Sequence, residues 1–145
     1  MLVRCWVNDR VLYIDHAAYG VGIDIGGTPA LFDRVPGARQ WMIRADGSWP
    51  QTLEAVAKLG FNITAAPKWS GSVEDGAAHL RAYDRIVIHA RCKRLAEEAR
   101  LWRRKIDELS GEVMRQFVSG NDHGWDGVRY ALSPLIVHQP TAWLA

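Results

Sequence analysis

The chain has 145 residues, 48% of them hydrophobic and 23% charged, which fits one globular domain and excludes a disordered chain. Eighteen Lys and Arg oppose sixteen Asp and Glu, so the formal charge of +2 neither requires nor excludes a polyanionic partner. No apolar run approaches the roughly 20 residues that span a bilayer, and the amino end does not fit a signal peptide. Cys5 and Cys92 match no disulfide framework or zinc pattern. We therefore expect a cytoplasmic protein with reduced thiols.

The first two thirds of the chain alternate between predicted strands and helices. Two apolar runs around the polar pair Asn8-Asp9 predict a β-hairpin over residues 2–7 and 11–14. We expect Ser48 and Ser72 to cap two of the helices and Gly60 to end the first of these. The remaining predicted elements are a helical turn at 29–32, strands at 40–45, 61–65 and 85–89, and helices at 50–59, 72–80 and 92–100.

The last third predicts a second hairpin and a final helix. Residues 101–106 alternate between apolar and basic side chains, and a Ser-Gly turn separates them from a run at 113–118. This pattern predicts the hairpin, although residues 95–109 could instead form one long helix. We expect a helix over residues 125–132 that is ended by Pro134, and a loosely held tail over residues 135–145. Strand–helix alternation with a hairpin at each end predicts one mixed α/β domain over residues 1–145.

Two local patterns could bind a divalent cation. His123 and Asp126 are three residues apart at the start of a helix, so they project to one side and offer nitrogen and oxygen ligands. The alternative is that Asp122 caps this helix and Asp126 is an ordinary first-turn acid. Asp46 directly follows a strand, where α/β sheets place ligands, but it could equally be a turn residue bonded to the backbone of Ser48.

Several stretches together resemble the C-terminal nuclease domain of phage terminase large subunits. The most specific are Gly-Ser-Val-Glu-Asp-Gly at 71–76 and His-x-x-Asp-x-x-Arg-Tyr-Ala-Leu at 123–132, with further similarity over 13–32 and 33–46. The resemblance extends from residue 2 to about 135. It implies an RNase H-like mixed sheet flanked by helices. It also implies an endonuclease that cuts concatemeric viral DNA during packaging, in the cytoplasm of a bacterial host.

The resemblance also implies the site and its partners. One or two Mg²⁺ or Mn²⁺ ions would be held by Asp46, His123 and Asp126, which are the expected catalytic residues. The partners would be double-stranded DNA, the terminase small subunit and the portal. DNA phosphates would be contacted by Lys68, Arg103, Arg104 and Lys105. The alternative for the basic residues near the second hairpin is a solvated face balanced by Glu97, Glu98, Asp107 and Glu108.

The sequence departs from this family at its amino end. Family members have an earlier strand with the first catalytic aspartate, and the segment equivalent to that strand would precede Met1. No phosphate-binding loop of an ATPase motor occurs either. We therefore expect a domain incomplete at its amino end, in which Asp15, Glu74 or Asp122 could replace the first carboxylate. The alternative function is an inactive prophage remnant that at most binds DNA or a packaging partner.

Overall fold

Strands and helices alternate along the chain, as the sequence predicts. The computed structural model describes residues 1–102, 104–117, 120 and 122–136. The strands are β1 (Leu2–Asn8), β2 (Val11–Ala18), β3 (Ile43–Ala45), β4 (Ile63–Ala65), β5 (Arg85–Ile88), β6 (Arg104–Ile106) and β7 (Val113–Phe117). The helices are α1 (Thr28–Phe32), α2 (Pro50–Lys58), α3 (Ser72–Arg81), α4 (Lys93–Leu101) and α5 (His123–Leu132), followed by a 3₁₀ turn at Ser133–Leu135.

The described strands are arranged in two small sheets and a separate hairpin. The first sheet has the strand order β1-β2-β5, in which β1 is antiparallel to β2 and β5 is parallel to β2. β3 and β4 form the second sheet and are parallel. β6 and β7 form the predicted second hairpin. The first hairpin turns at Asp9 and Arg10, whose φ angles of 44° and 61° are the left-handed pair of a tight type I′ turn. The turn therefore lies one residue later than predicted.

Two predicted helix caps and one alternative are wrong. The residue before α2 is Trp49, and Ser48 instead gives its hydroxyl hydrogen to Asp46. Ser72 is the first residue of α3, and the residue before it is Gly71, in a left-handed turn at φ 85°. The single long helix over 95–109 does not form, because α4 ends at Leu101 and the backbone becomes extended immediately afterwards.

Two clusters of buried side chains lie on opposite faces of β1 and β2. Leu12 and Ile14 of β2 pack with Leu95 of α4 and Val128 of α5 in the first cluster, and all four are almost completely buried. Leu2 and Ala18 belong to the second cluster, with apolar residues from α1, α2 and the segments that follow them. Burial of this apolar surface is the main force that holds α5 against the sheet.

The amino end of α5 is fixed by a buried carboxylate. Glu98 of α4 is only 5% exposed, and its Oε2 accepts a hydrogen bond of 2.7 Å from the backbone N–H of Gly124. A negative charge is favourable there, because the first N–H groups of a helix carry partial positive charge. The sequence-based alternative that placed Glu98 on a solvated face is therefore wrong for this residue. None of the helices among the described residues is long and apolar enough to cross a membrane.

Candidate metal centre

Three potential metal ligands converge at the start of α5. Among the described His, Cys, Asp and Glu residues, Asp122, His123 and Asp126 form one group whose ligand atoms all lie within 4.8 Å of one another. Asp122 occupies the cap position, but its carboxylate makes no capping hydrogen bond to the helix and instead accepts one from the N–H of Gly120 at 3.2 Å. Of the three carboxylates considered from the sequence, Asp122 is the one that lies beside His123 and Asp126, and its role as the replacement stays a prediction.

A buried arginine orients the carboxylate of Asp126. Arg129 is 6% exposed and donates to Asp126 Oδ1, which lies one helical turn before it. The stem of Arg129 packs against Gly76 of α3, where a Cβ would lie 2.6 Å from Arg129 Cδ. The last glycine of the Gly-Ser-Val-Glu-Asp-Gly stretch therefore leaves the space that this arginine fills.

Asp46 lies at the end of β3 and is held by three donors on one oxygen. Its Oδ1 accepts hydrogen bonds from the Ser48 N–H at 2.8 Å, the Ser48 hydroxyl at 2.6 Å and Lys68 Nζ at 2.7 Å. Lys68 and then Ser48 lower the pKa of Asp46 to about 2, because each favours the charged carboxylate. The turn-residue interpretation of Asp46 is confirmed by the bond to Ser48 N–H, while its role as a metal ligand stays a prediction.

Tyr130 lies between Asp46 and the group on α5. Its hydroxyl is 3.5 Å from Asp46 Oδ2, and both Lys68 Nζ and the Arg129 guanidinium carbon lie 5.8 Å from the centre of its ring. Burial, followed by the charges of Asp126 and Asp46, raises the pKa of the Tyr130 hydroxyl, so it stays protonated at neutral pH.

Asp46, His123 and Tyr130 all line one cleft, which has a volume of about 870 Å³. Asp46 and His123, which are 77 positions apart in sequence, therefore open onto the same space. Sequence reasoning did not assign roles to Tyr130 or Arg129. The sequence pointed to these two residues only because they lie in the stretch at 123–132 that resembles the family, beside His123 and Asp126.

The predicted DNA contacts are only partly described. Lys68 is paired with Asp46, and its contact with phosphate stays a prediction. Arg104 is half-buried on β6, and its role also stays a prediction. Arg103 and the side chain of Lys105 lie outside the described residues.

The two other candidate replacement carboxylates do not join the group at α5 among the described residues. Asp15 accepts a hydrogen bond of 2.9 Å from Arg4 Nε and lies 3.1 Å from His16 Nδ1. The Arg4 guanidinium lowers the pKa of Asp15. Glu74 lies in the first turn of α3, where an acid is favoured by the helix dipole.

Replacing Lys68 with Met is expected to raise the pKa of Asp46 from about 2 toward its ordinary value near 4. Because the folded-state pKa is lowered, the pair stabilises the protein above about pH 4, and this contribution is lost as the pH falls toward 2. The pair is half exposed, so its contribution is only about 0.2–1 kcal/mol. Carbon-detected NMR titration of the Asp46 carboxyl measures the change.

Lys58→Met is the matched control, because Lys58 pairs with Glu54 on the exposed surface of α2. It should leave the Asp46 titration unaltered. An Asp46 pKa that is the same in Lys68→Met and in the original protein would contradict the assigned ion pair.

Comparison with known proteins identifies one similar solved structure. No protein-family model matches the sequence, and no curated protein matches it in sequence. The nuclease domain of the large terminase g2p from bacteriophage SPP1, solved with bound Mn, superposes with a TM-score of 0.80 at 25% identity. The match covers 91% of this chain and 76% of that chain.

This match confirms the class predicted from the sequence, a mixed α/β fold of the RNase H-like kind. It also confirms the more particular resemblance: the chain has the fold of the nuclease domain of a phage terminase large subunit.

Proposed function

We propose that this chain is a divalent-metal-dependent DNA endonuclease domain of a phage or prophage terminase large subunit, acting during genome packaging. The observation that carries the proposal is the group formed by Asp122, His123 and Asp126 on this fold. The similar SPP1 domain was solved with bound Mn. The function thus rests on ligand chemistry and on fold together.

The residues present fit a Mg²⁺ or Mn²⁺ ion. Two carboxylates and one imidazole within 4.8 Å are the oxygen and nitrogen donors that these ions accept. Arg129 forms an ion pair with Asp126, and Lys68 forms one with Asp46. Three carboxylates and two cations leave little excess negative charge. We therefore propose one ion held by Asp122, His123 and Asp126, with Asp46 as a further ligand from the same cleft.

The bound ion would supply Lewis acidity for attack of water on a phosphodiester and for departure of the 3′ or 5′ oxygen. Asp122, His123 and Asp126 would hold it, and Arg129 would keep the Asp126 carboxylate oriented. Lys68 and Arg129 place positive charge beside the carboxylates, which a site that receives an anionic phosphate requires. The protonated Tyr130 hydroxyl would donate a hydrogen bond at the wall of the cleft.

The substrate follows from the same proposal. Phosphate contacts by Lys68, Arg103, Arg104 and Lys105 would hold double-stranded DNA largely without regard to sequence. The terminase small subunit and the portal are the proposed protein partners, and the cytoplasm of the host cell is the proposed place of action.

Incubation of the purified chain with supercoiled plasmid in Mn²⁺ or Mg²⁺ tests the proposal. We expect nicked and linear products that EDTA abolishes, with Mn²⁺ binding detected in parallel by electron paramagnetic resonance. Mn²⁺ binding without cleavage would support the metal site but contradict the nuclease activity. It would favour the alternative of a protein that only binds DNA. Absence of Mn²⁺ binding would contradict the site itself.

A further inference from the structure

A second group of charged and imidazole side chains lies where β2 and β5 end. β5 is parallel to β2, and the N–H of His89 donates to Ile14 O at 2.9 Å, so the residues that follow β5 lie beside the end of β2. We call this group the arginine–histidine cluster. Its members are Arg4, Asp15, His16, His89 and Arg91.

A β-bulge brings Asp15 and His16 to the same arginine. Arg4 pairs with His16 in the register of β1 and β2, and the next pair skips Asp15. Neighbouring residues of a regular strand point to opposite faces, and a bulge changes that direction. Asp15 therefore accepts from Arg4 Nε at 2.9 Å, while His16 Nδ1 lies 3.1 Å from Asp15 Oδ2. The carboxylate accepts the Nδ1 hydrogen of His16, which leaves Nε2 of this imidazole as an acceptor.

Arg91 is bound by two imidazoles. Its Nη1 lies 2.7 Å from His16 Nε2, and its Nε lies 3.0 Å from His89 Nδ1. Arg91 is exposed, and within the described part of the chain it forms no ion pair with a carboxylate. Because neutral imidazoles accept hydrogen bonds without cancelling charge, the positive charge of Arg91 remains available. Its five N–H groups form the planar fork that matches phosphate.

Two hydrogen-bond donors lie side by side in this cluster. His89 Nδ1 faces two N–H groups of Arg91, the backbone one at 3.2 Å and Nε at 3.0 Å, so Nδ1 is the acceptor. In a neutral imidazole the hydrogen is then on Nε2, which lies 3.2 Å from Arg91 Nη2. Two N–H groups cannot bond to each other, but one anionic oxygen can accept from both. The arrangement therefore fits an anion.

Positive charge exceeds negative charge around the cluster. Its two arginines face one aspartate, which leaves one positive charge in excess when both histidines are neutral. His89 also lines a small cavity of about 290 Å³, whose charged residues are Lys93, Glu97 and Arg100. These two cations and one carboxylate leave a further positive charge in excess. Both excesses favour an anionic ligand.

Arg4 connects the cluster to the cleft of the candidate metal centre. It lines that cleft together with Asp46 and His123, and its Nη2 lies 3.2 Å from His16 Nδ1. The cluster and the cleft therefore adjoin each other on the surface. A polyanion bound across the cleft can continue to Arg91, whereas a small anion at Arg91 needs no contact with the cleft.

We propose that Arg91 and His89, beside His16, bind a phosphate group of DNA away from the phosphodiester that is cut. One phosphate oxygen accepts from Arg91 Nη2 and from His89 Nε2, and the guanidinium supplies the opposite charge. The continuity of the cluster with the cleft favours DNA as the source of the phosphate. In that respect this subsite rests on the proposed function, and it extends the DNA-binding surface to the ends of β2 and β5.

The first test is the affinity for a fluorescent DNA duplex, measured by anisotropy in EDTA at several salt concentrations. Arg91→Gln should bind about tenfold more weakly, the loss expected for one charge-assisted hydrogen bond. The plot of log affinity against log salt should become shallower by about 0.9, because one phosphate contact is lost. A purely structural role of Arg91 would lower Tm and leave this slope unaltered.

Arg10→Gln is the matched control. Arg10 is exposed at the turn of the first hairpin and pairs with Asp84, outside the cluster. The substitution removes the same charge and should leave both the affinity and the slope at the values of the original protein. Equal affinities and equal slopes for Arg91→Gln and Arg10→Gln would overturn the proposal.

NMR of the histidine ring nitrogens in the original protein covers the case of a misfolded Arg91→Gln variant. We expect the duplex to shift the ring signals of His89 and His16, and to leave those of His79, which bonds to Tyr83, in place. Inorganic phosphate should shift the same two histidines at higher concentration. Shifts with inorganic phosphate but not with the duplex would overturn DNA as the source, in favour of a free phosphate ligand. Absence of shifts with either would overturn the site.

Both experiments are carried out in EDTA, where the proposed nuclease does not act. Equal duplex binding by the two variants would overturn this subsite and leave the plasmid-cleavage result intact. Loss of cleavage together with the expected change in salt slope would contradict the nuclease and support the subsite. The two proposals therefore fail separately.

Discussion

Asp126→Asn is expected to abolish metal-dependent DNA cleavage. Asp126 offers a carboxylate to the group with Asp122 and His123, and an amide is a neutral and weaker ligand for Mg²⁺ or Mn²⁺. Loss of an outer-shell partner of a metal site costs about 10–100-fold, so loss of this ligand should cost at least about 100-fold in rate. The rate is measured as conversion of supercoiled to nicked plasmid at saturating Mn²⁺.

The fold should survive this change, because the amide oxygen of asparagine can still accept a hydrogen bond from Arg129. Asp84→Asn is a suitable control, since Asp84 forms an exposed ion pair with Arg10 outside the group. It removes the same charge from the protein and should leave the rate unaltered. Cleavage by Asp126→Asn at the rate of Asp84→Asn would contradict the assignment of the site.

Gly124→Ala is expected to destabilise the protein by roughly 1–3 kcal/mol or more, the usual cost of overpacking a core. A Cβ at this position would lie 2.4 Å from Leu95 Cδ1 and 2.8 Å from Glu98 Oε2. Leu95 is completely buried and Glu98 holds the first turn of α5, so neither can move away cheaply. Urea unfolding followed by circular dichroism measures the change in the free energy of unfolding.

Gly127→Ala provides the comparison within the same helix. A Cβ there would meet Val3 Cγ2 at 3.6 Å, which is ordinary van der Waals contact. Alanine in place of a helical glycine should stabilise the protein by about 0.5–1 kcal/mol, because less backbone entropy is lost on folding. If both substitutions destabilise equally, the close packing of α4 against the start of α5 is not as described.

The elements of the fold were predictable because their signals are local. Apolar runs around a polar turn located the first hairpin, and the left-handed Gly60 after α2 ended a helix where a stop was predicted. The predicted serine caps are wrong for a physical reason, because a serine near the start of a helix can bond to any nearby acceptor. Ser48 bonds to Asp46 rather than to the first turn of α2.

The site was predictable only in part, because its geometry depends on contacts between distant residues. The spacing of His123 and Asp126 is local and was informative. The contact of Gly76 with Arg129 joins α3 to α5, and the approach of Tyr130 to Asp46 joins α5 to β3. No local pattern encodes which helix packs on which strand, so these orienting contacts required the structure.

Burial of the Cys92 thiol makes it a chemical reporter of the native state. Burial raises the pKa of Cys5 on β1 to about 11, and burial also raises the pKa of Cys92 in the first cluster. At pH 8 only about one Cys5 in a thousand would then be a thiolate, the form that attacks alkylating reagents. Cys92 is only 2% exposed, so its alkylation in the native protein requires opening of the first cluster, and the labelling rate of Cys92 reads out how often that opening occurs. Cys5 is half-buried and lines the cleft, so its labelling is slowed by its raised pKa without requiring that opening.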